Sequence, residues 1–117
     1  MIKCLAIDDD PLFLKMLMVL FNDIKSAELI ATYNNPVEGM MATVKSKPDV
    51  LLLDLEMPYL DGFEALETLD VPPKVIVISG HLNEPRNTVI PISRYISKSE
   101  VQSAVMLEAA IKEVMGV

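Results

Sequence analysis

Two short runs, Val50-Leu51-Leu52-Leu53 and Val75-Ile76-Val77-Ile78, are apolar at every position, and each stops on a polar residue, Asp54 and Ser79. A strand with one wet face alternates apolar and polar side chains. A run that is apolar on both sides must be covered on both, which is the situation of a central strand in a parallel sheet. Residues 2–7 make a third run, apolar apart from Lys3 and read as buried on both faces near its end, which stops at Asp8-Asp9-Asp10, while residues 28–32 and 95–97 read as shorter, more polar strands. Parallel neighbours require a crossover long enough to hold a helix, so the segments between these runs are predicted to be helical.

Their end signals agree. Asp10-Pro11 pairs a capping carboxylate with a proline at the first helical position and opens a helix predicted to reach Phe21. Asn35-Pro36-Val37-Glu38 repeats the signal, with Glu38 placed for a capping box, and that helix ends near Ser46 because Lys47 precedes Pro48. A short helix is expected over residues 62–69, closed by Val71-Pro72-Pro73. The last helix is predicted over residues 99–115, opened by Ser99 and Gln102 as a capping box and closed by Gly116. Its inner face is Ala104, Leu107, Ile111 and Val114; Val105, Met106 and Ala109 lie off that face and form a candidate partner surface. Residues 81–92 stand where another helix belongs, yet Pro85 and Pro91 interrupt them and Asn83, Asn87 and Thr88 are weak helix formers. Met16, Met18, Met40 and Met41 read as core or gap-filling side chains. Strand alternating with helix makes an α/β fold with a parallel sheet covered on both faces, and residues 1–117 are expected to be a single domain.

Composition narrows the function. A formal charge of −7 argues against a nucleic-acid surface within this domain, since phosphate neutralisation needs basic side chains. The lone Cys4 closes no intramolecular disulfide, and the most apolar stretch, residues 12–21, is too short to span a bilayer. A cytoplasmic protein without membrane contact is expected.

The polar residues fall at the strand ends: Asp8-Asp9-Asp10, Asp54, Ser79, and Lys98 just beyond the last strand. Ligands of such sheets bind outside the carboxyl ends of the strands. Carboxylates gathered there repel one another unless a cation intervenes, and an oxygen-only donor set suits a hard divalent ion such as Mg²⁺. Asp10 is better explained as a helix cap. Lys98 would balance charge or meet an incoming phosphoryl oxygen.

In order and spacing, Asp8-Asp9, Leu-Leu-Leu-Asp54-Leu-Glu-Met57-Pro58 with Asp61-Gly62, Ser79, and Tyr95-Ile-Ser-Lys98 resemble the receiver domains of two-component response regulators, the superfamily of the chemotaxis regulators. The resemblance implies a doubly wound, flavodoxin-like sheet of five strands in the order 2-1-3-4-5, here with the fourth helix short or missing. It implies that Asp54 takes a phosphoryl group from a histidine kinase or phosphotransfer protein. Mg²⁺ would be held by Asp9, Asp54, the backbone carbonyl of Glu56 and, mainly through water, Asp8. Ser79 and Lys98 would each hold a phosphoryl oxygen, with Ser79 and Tyr95 forming the switch. Such a domain is a signalling module, not an enzyme, and catalyses only its own phosphorylation and dephosphorylation. A homodimer is a candidate assembly, and a following DNA-binding domain of LytTR type is the expected output if the chain is cut from a longer protein.

Three departures from the family pattern bear on detail. Ser99 stands where a proline usually follows the lysine; without proline a cis bond costs roughly 3 kcal/mol, so Lys98-Ser99 is expected to be trans. The interrupted segment 81–92 is the second. The third is Glu56, which with His81 flanks the path of hydrolytic water and is expected to tune the lifetime of the phosphoaspartate. Two rival functions are compatible with these residues. One is a pseudo-receiver that binds or dimerises without phosphorylation; the other is a phosphatase of the haloacid dehalogenase type using the Asp-x-Asp of residues 8–10.

Overall fold

The computed structural model describes residues 1–54, 69–80 and 91–117. Five strands, β1 (Ile2–Ile7), β2 (Ala27–Tyr33), β3 (Val50–Leu53), β4 (Lys74–Ser79) and β5 (Arg94–Ser97), form one parallel sheet in the order β2-β1-β3-β4-β5. This is the doubly wound order expected. The chain leaves β1 toward one edge and later returns to its other side as β3, so a crevice opens between the carboxyl ends of β1 and β3.

Alternation along the central strands divides the core. Cys4, Ala6, Leu52, Ile76, Ile78 and Ile96 face α1 (Pro11–Phe21) and α3 (Ala104–Met115), meeting Leu14, Leu17, Leu107 and Ile111. Leu5, Ile7, Leu51, Leu53, Val75 and Val77 face the other way, toward Met40 of α2 (Pro36–Ser46). Both sets are buried, which is why these runs show no polar alternation. Cys4 is fully enclosed, and burial, with the Asp49 and Glu28 carboxylates adding, pushes its thiol up to about 12, so it is no nucleophile.

The helix starts follow the capping chemistry. Asp10 accepts the Leu12 N–H at 3.0 Å, and Asn35 accepts those of Val37 and Glu38 at 2.9 and 3.1 Å. Gly116, at φ 73°, ends α3 in the left-handed region that glycine tolerates. Glu108 ties α3 to the loop after α1, accepting from the Ser26 hydroxyl at 2.6 Å and from the backbone of Lys25 and Ser26; the Ser26 bonds hold its carboxyl below the usual range.

The last helix begins later than expected. A 3-10 turn at Lys98–Glu100 comes first, and α3 opens at Ala104 with Ser103 as its cap. The reciprocal cap belongs to Ser97 and Glu100, not to Ser99 and Gln102. Val101 accounts for the break: its side chain is buried in the α1/α3 core, and a backbone at φ −85°, ψ 80° is what carries it there. Among the methionines, Met40 is buried and Met16 partly so, but Met18 and Met41 are exposed on the outer faces of α1 and α2, where core filling was expected. Val105 and Ala109 are exposed, as anticipated for residues off the inner face, but Met106 is partly buried against the α1/α3 core. The helix expected over 62–69 and the interrupted fourth helix fall almost wholly on residues outside those described.

One close approach fixes α2 on the sheet. A Cβ added at Gly39 would lie 2.6 Å from Cδ1 and 2.7 Å from Cγ1 of Ile7. Alanine improves helix propensity by about 1 kcal/mol, but displacing Ile7, the last residue before the acidic cluster, costs more. Gly39→Ala is therefore expected to destabilise the domain by about 1–2 kcal/mol in urea titration; a gain in stability would show that α2 is free to move outward.

Candidate functional site

Register builds the site. Ile7 pairs with Leu53, Leu53 with Val77, and Val77 with Tyr95, so Asp8 and Asp54 are the next residues beyond one level of the sheet. Backbone bonds hold both at that edge: Asp8 N–H donates to Tyr33 O at 3.0 Å, and Asp54 N–H to Ile7 O at 3.1 Å. Ser79 and Ser97 pair one level higher, and Lys98 is the first residue past that pair.

Asp8, Asp9 and Asp54 each place one carboxylate oxygen within 4.8 Å of the others'. Asp8 and Asp54 are 3% and 2% exposed, whereas Asp9 is exposed. Two buried carboxylates this close need positive charge. Lys98 supplies part of it: its Nζ lies 3.0 Å from Asp8 Oδ2 and 3.6 Å from Asp54 Oδ2. The Asp8 carboxylate also accepts the Asp10 N–H at 2.8 Å.

The electrostatics follow from burial. Desolvation raises the Asp8 carboxyl above its ordinary value, with the Asp54 charge adding and the bonds from Asp10 and Lys98 opposing. Burial alone would depress Lys98, but its hydrogen bond to Asp8 and the charges of Asp8, Asp54 and Asp10 outweigh that, so the ammonium is held above the ordinary lysine value. Lys98 is thus a fixed cation, a single ammonium set against three carboxyl groups among the described residues. The donor set fits a hard divalent ion: three carboxylates on a shared focus, with no histidine or thiolate among the described residues there.

Asp8, Asp9, Asp54 and Lys98 are thereby brought together as expected. Ser79 is 2% exposed at the end of β4. Tyr95 packs, partly buried, against the α2-side core, the face that Val77 and Ser79 share by strand alternation. Asp10 is spent as the cap of α1, which removes the second acid that a phosphatase based on residues 8–10 would need. The described peptide bonds include no cis bond, so Lys98-Ser99 is trans. Glu56 and His81 lie outside the described residues.

Two parts of the site went unread in the sequence. The Lys98 ammonium sits 4.8 Å from the centroid of the Phe13 ring on α1, and nothing in an apolar helix face distinguishes such a ring beforehand. The Ser97/Glu100 cap did carry a signal, the Ser-x-x-Glu spacing of a capping box.

Comparison with known proteins agrees with this geometry. The family profile described as "Response regulator receiver domain" matches residues 4–111. Transcriptional regulatory protein BtsR of Escherichia coli strain K12 is 41% identical over 70 residues, covering 60% of this chain and 29% of BtsR. A protein-glutamate methylesterase/protein-glutamine glutaminase of Koribacter versatilis is 31% identical over 121 residues, covering 97% of this chain and 33% of its own length. The chain therefore spans a third or less of these two curated relatives. In solved structures, the fold recurs in the complex of the CheA3 P1 domain with CheY6 from R. sphaeroides, at a TM-score of 0.78 and 19% identity, covering 98% of this chain and 97% of that one. No helix among the described residues is long and apolar enough to cross a membrane.

Proposed function

Because the chain belongs to the response regulator receiver domain family of two-component systems, we propose that Asp54 is its phosphoryl acceptor and that the domain acts as a stoichiometric switch. The observation that carries this reading is the placement of the buried Asp54 carboxylate between a fixed lysine ammonium and two further carboxylates. A carboxylate oxygen of Asp54 attacks phosphorus of a phosphohistidine; the O–P bond forms, the P–N bond breaks, and the departing imidazole takes up a proton. The product is an acyl phosphate on Asp54. Charge in that transfer is spread over the phosphoryl oxygens, so groups already aimed at them supply most of the catalysis.

Lys98 is one such group, and its ammonium moves from the carboxylates to a phosphoryl oxygen as the charge arrives. The Ser79 hydroxyl, at the end of the neighbouring strand, takes a second oxygen. Asp8, Asp9 and Asp54 would hold Mg²⁺, whose chemistry there is to neutralise the carboxylates and the incoming oxygens. Movement of Ser79 toward the phosphoryl group vacates space on the α2 side of β4, and Tyr95 follows it, converting one local charge event into a change of surface. The chemistry is confined to the domain's own phosphorylation and dephosphorylation.

The donor fitting this chemistry is a histidine kinase or phosphotransfer protein, the type of partner suggested by the complex of CheY6 with the CheA3 P1 domain. Whatever output is attached, whether a regulator of transcription as BtsR is named or an esterase as in the Koribacter relative, would be read through the switched surface. The test is chemical. Incubation with Mg²⁺ and a small acyl phosphate donor should give a hydroxylamine-sensitive phosphoryl adduct that peptide mass mapping places on Asp54. An unmodified chain, or an adduct elsewhere, would overturn the reading.

A further inference from the structure

The Lys98 ammonium stands at the tip of a flexible stem, yet it must meet a phosphoryl oxygen within a few tenths of an ångström to be useful. Besides its ion pairs with Asp8 and Asp54, which the incoming phosphoryl group must replace, it is restricted at its root and at its tip. At its root, the turn Lys98–Glu100 is closed by a reciprocal cap: the Ser97 side chain accepts the Ser99 N–H at 3.3 Å, and the Glu100 carboxylate accepts the Ser97 N–H at 3.2 Å. Gln102 Nε2 adds a bond to Ser99 O at 2.8 Å, and the buried Val101 anchors the turn in the core. At its tip, Nζ lies over the Phe13 ring at 4.8 Å, a geometry in which the ring face attracts a cation. Ser97 is also the register partner of Ser79, so the capped turn is fixed relative to the hydroxyl that would share the phosphoryl group.

We propose that Glu100 and Phe13 are positioning residues, which hold the Lys98 ammonium at the phosphoryl site from its root and from its tip. Neither touches the phosphoryl group. This rests on the reading of Asp54 as acceptor, and the experiment separates the two. Binding of beryllofluoride, a phosphoryl mimic, is measured by calorimetry at saturating Mg²⁺, and binding of Mg²⁺ alone is measured in parallel.

The unaltered chain binds the mimic; if it does not, the acceptor reading fails and the positioning role with it. Glu100→Ala should weaken the mimic by about fivefold, the cost of immobilising one long side chain on binding, with Mg²⁺ affinity unchanged. Glu100→Gln keeps an acceptor for the Ser97 N–H and should restore binding, which a role for the Glu100 charge would not allow. Phe13→Leu should weaken the mimic similarly, and Phe13→Tyr, which keeps the ring face, should not. In a Lys98→Met background neither Glu100→Ala nor Phe13→Leu should cost anything further, because both act through the ammonium. Equal losses in the presence and absence of Lys98, a parallel loss of Mg²⁺ affinity, or no loss at all would each overturn the positioning role while leaving Asp54 as acceptor.

Discussion

Asp54→Asn is expected to abolish phosphoryl uptake from any donor and, at the same time, to make the metal-free domain more stable. The first effect is chemical: an amide offers no nucleophilic oxygen, and the other buried carboxylate of the cluster, Asp8, is already engaged by Lys98 at 3.0 Å and by the Asp10 N–H at 2.8 Å. The second is electrostatic. Asp54 is 2% exposed, with two further carboxylates whose oxygens lie within 4.8 Å and, among the described residues, the Lys98 ammonium at 3.6 Å. Asparagine keeps the shape, removes the desolvated charge and relieves both repulsions, while Lys98 retains its shorter contact with Asp8 at 3.0 Å. A gain of about 1 kcal/mol follows, or about 4 °C in Tm for a domain of this size. Thermal melts with and without Mg²⁺ check it. The unaltered chain should be stabilised by the ion, because binding to the folded state alone adds to its stability, and the variant much less so. Retained phosphorylation would sink the assignment of Asp54; a lower Tm in the metal-free variant would show that its carboxylate is net stabilising.

The residues that made the fold legible are those whose environment is the same wherever they occur. Val50–Leu53 and Lys74–Ser79 could only be central strands once both of their faces were seen to be apolar, and Asp10-Pro11 and Asn35-Pro36 start helices by local chemistry that distant packing does not alter. The acidic pair, Asp54 and Lys98 were legible because strand ends in a parallel sheet converge. What escaped was whatever depended on one side chain's tertiary partner. The start of the last helix moved to Ala104 because Val101 is drawn into the core, and no periodicity argument could rank that burial above continued helix. Met18 is exposed for the converse reason: α1 is apolar on nearly all sides, so hydrophobicity alone does not say which methionine faces inward; on α2 the adjacent Met40 and Met41 look alike in sequence, and only Met40 is buried. The Phe13 ring beneath Lys98 joins residues 85 positions apart, a contact set by how α1 packs across the sheet.

Lys98→Met should lower the rate of phosphoryl uptake by about 100- to 1,000-fold, the usual cost of one charge-stabilising donor, without preventing Mg²⁺ from binding. Methionine keeps most of the stem while removing the charge, so packing changes little. Stability should fall by about 2 kcal/mol at neutral pH, less than for a fully enclosed pair because Lys98 is 22% exposed. The pH dependence separates this loss from a packing defect. Asp8, raised above 3.8 by burial, on its own favours the folded state while protonated, and that contribution is lost as pH rises through its folded value. Lys98, raised above 10.5, has the same sign in a higher window: its contribution is fully present below 10.5 and disappears as pH climbs through its folded value. The difference between unaltered chain and variant should therefore be small in acid, where Asp8 carries a proton and the pair is not formed. It should open once pH passes the raised Asp8 titration, stay level to about 10.5, and close above it. Urea denaturation of both proteins across that range, without metal, measures it. A difference that did not vary with pH would mean that the stem, not the charge, carries the contribution of Lys98.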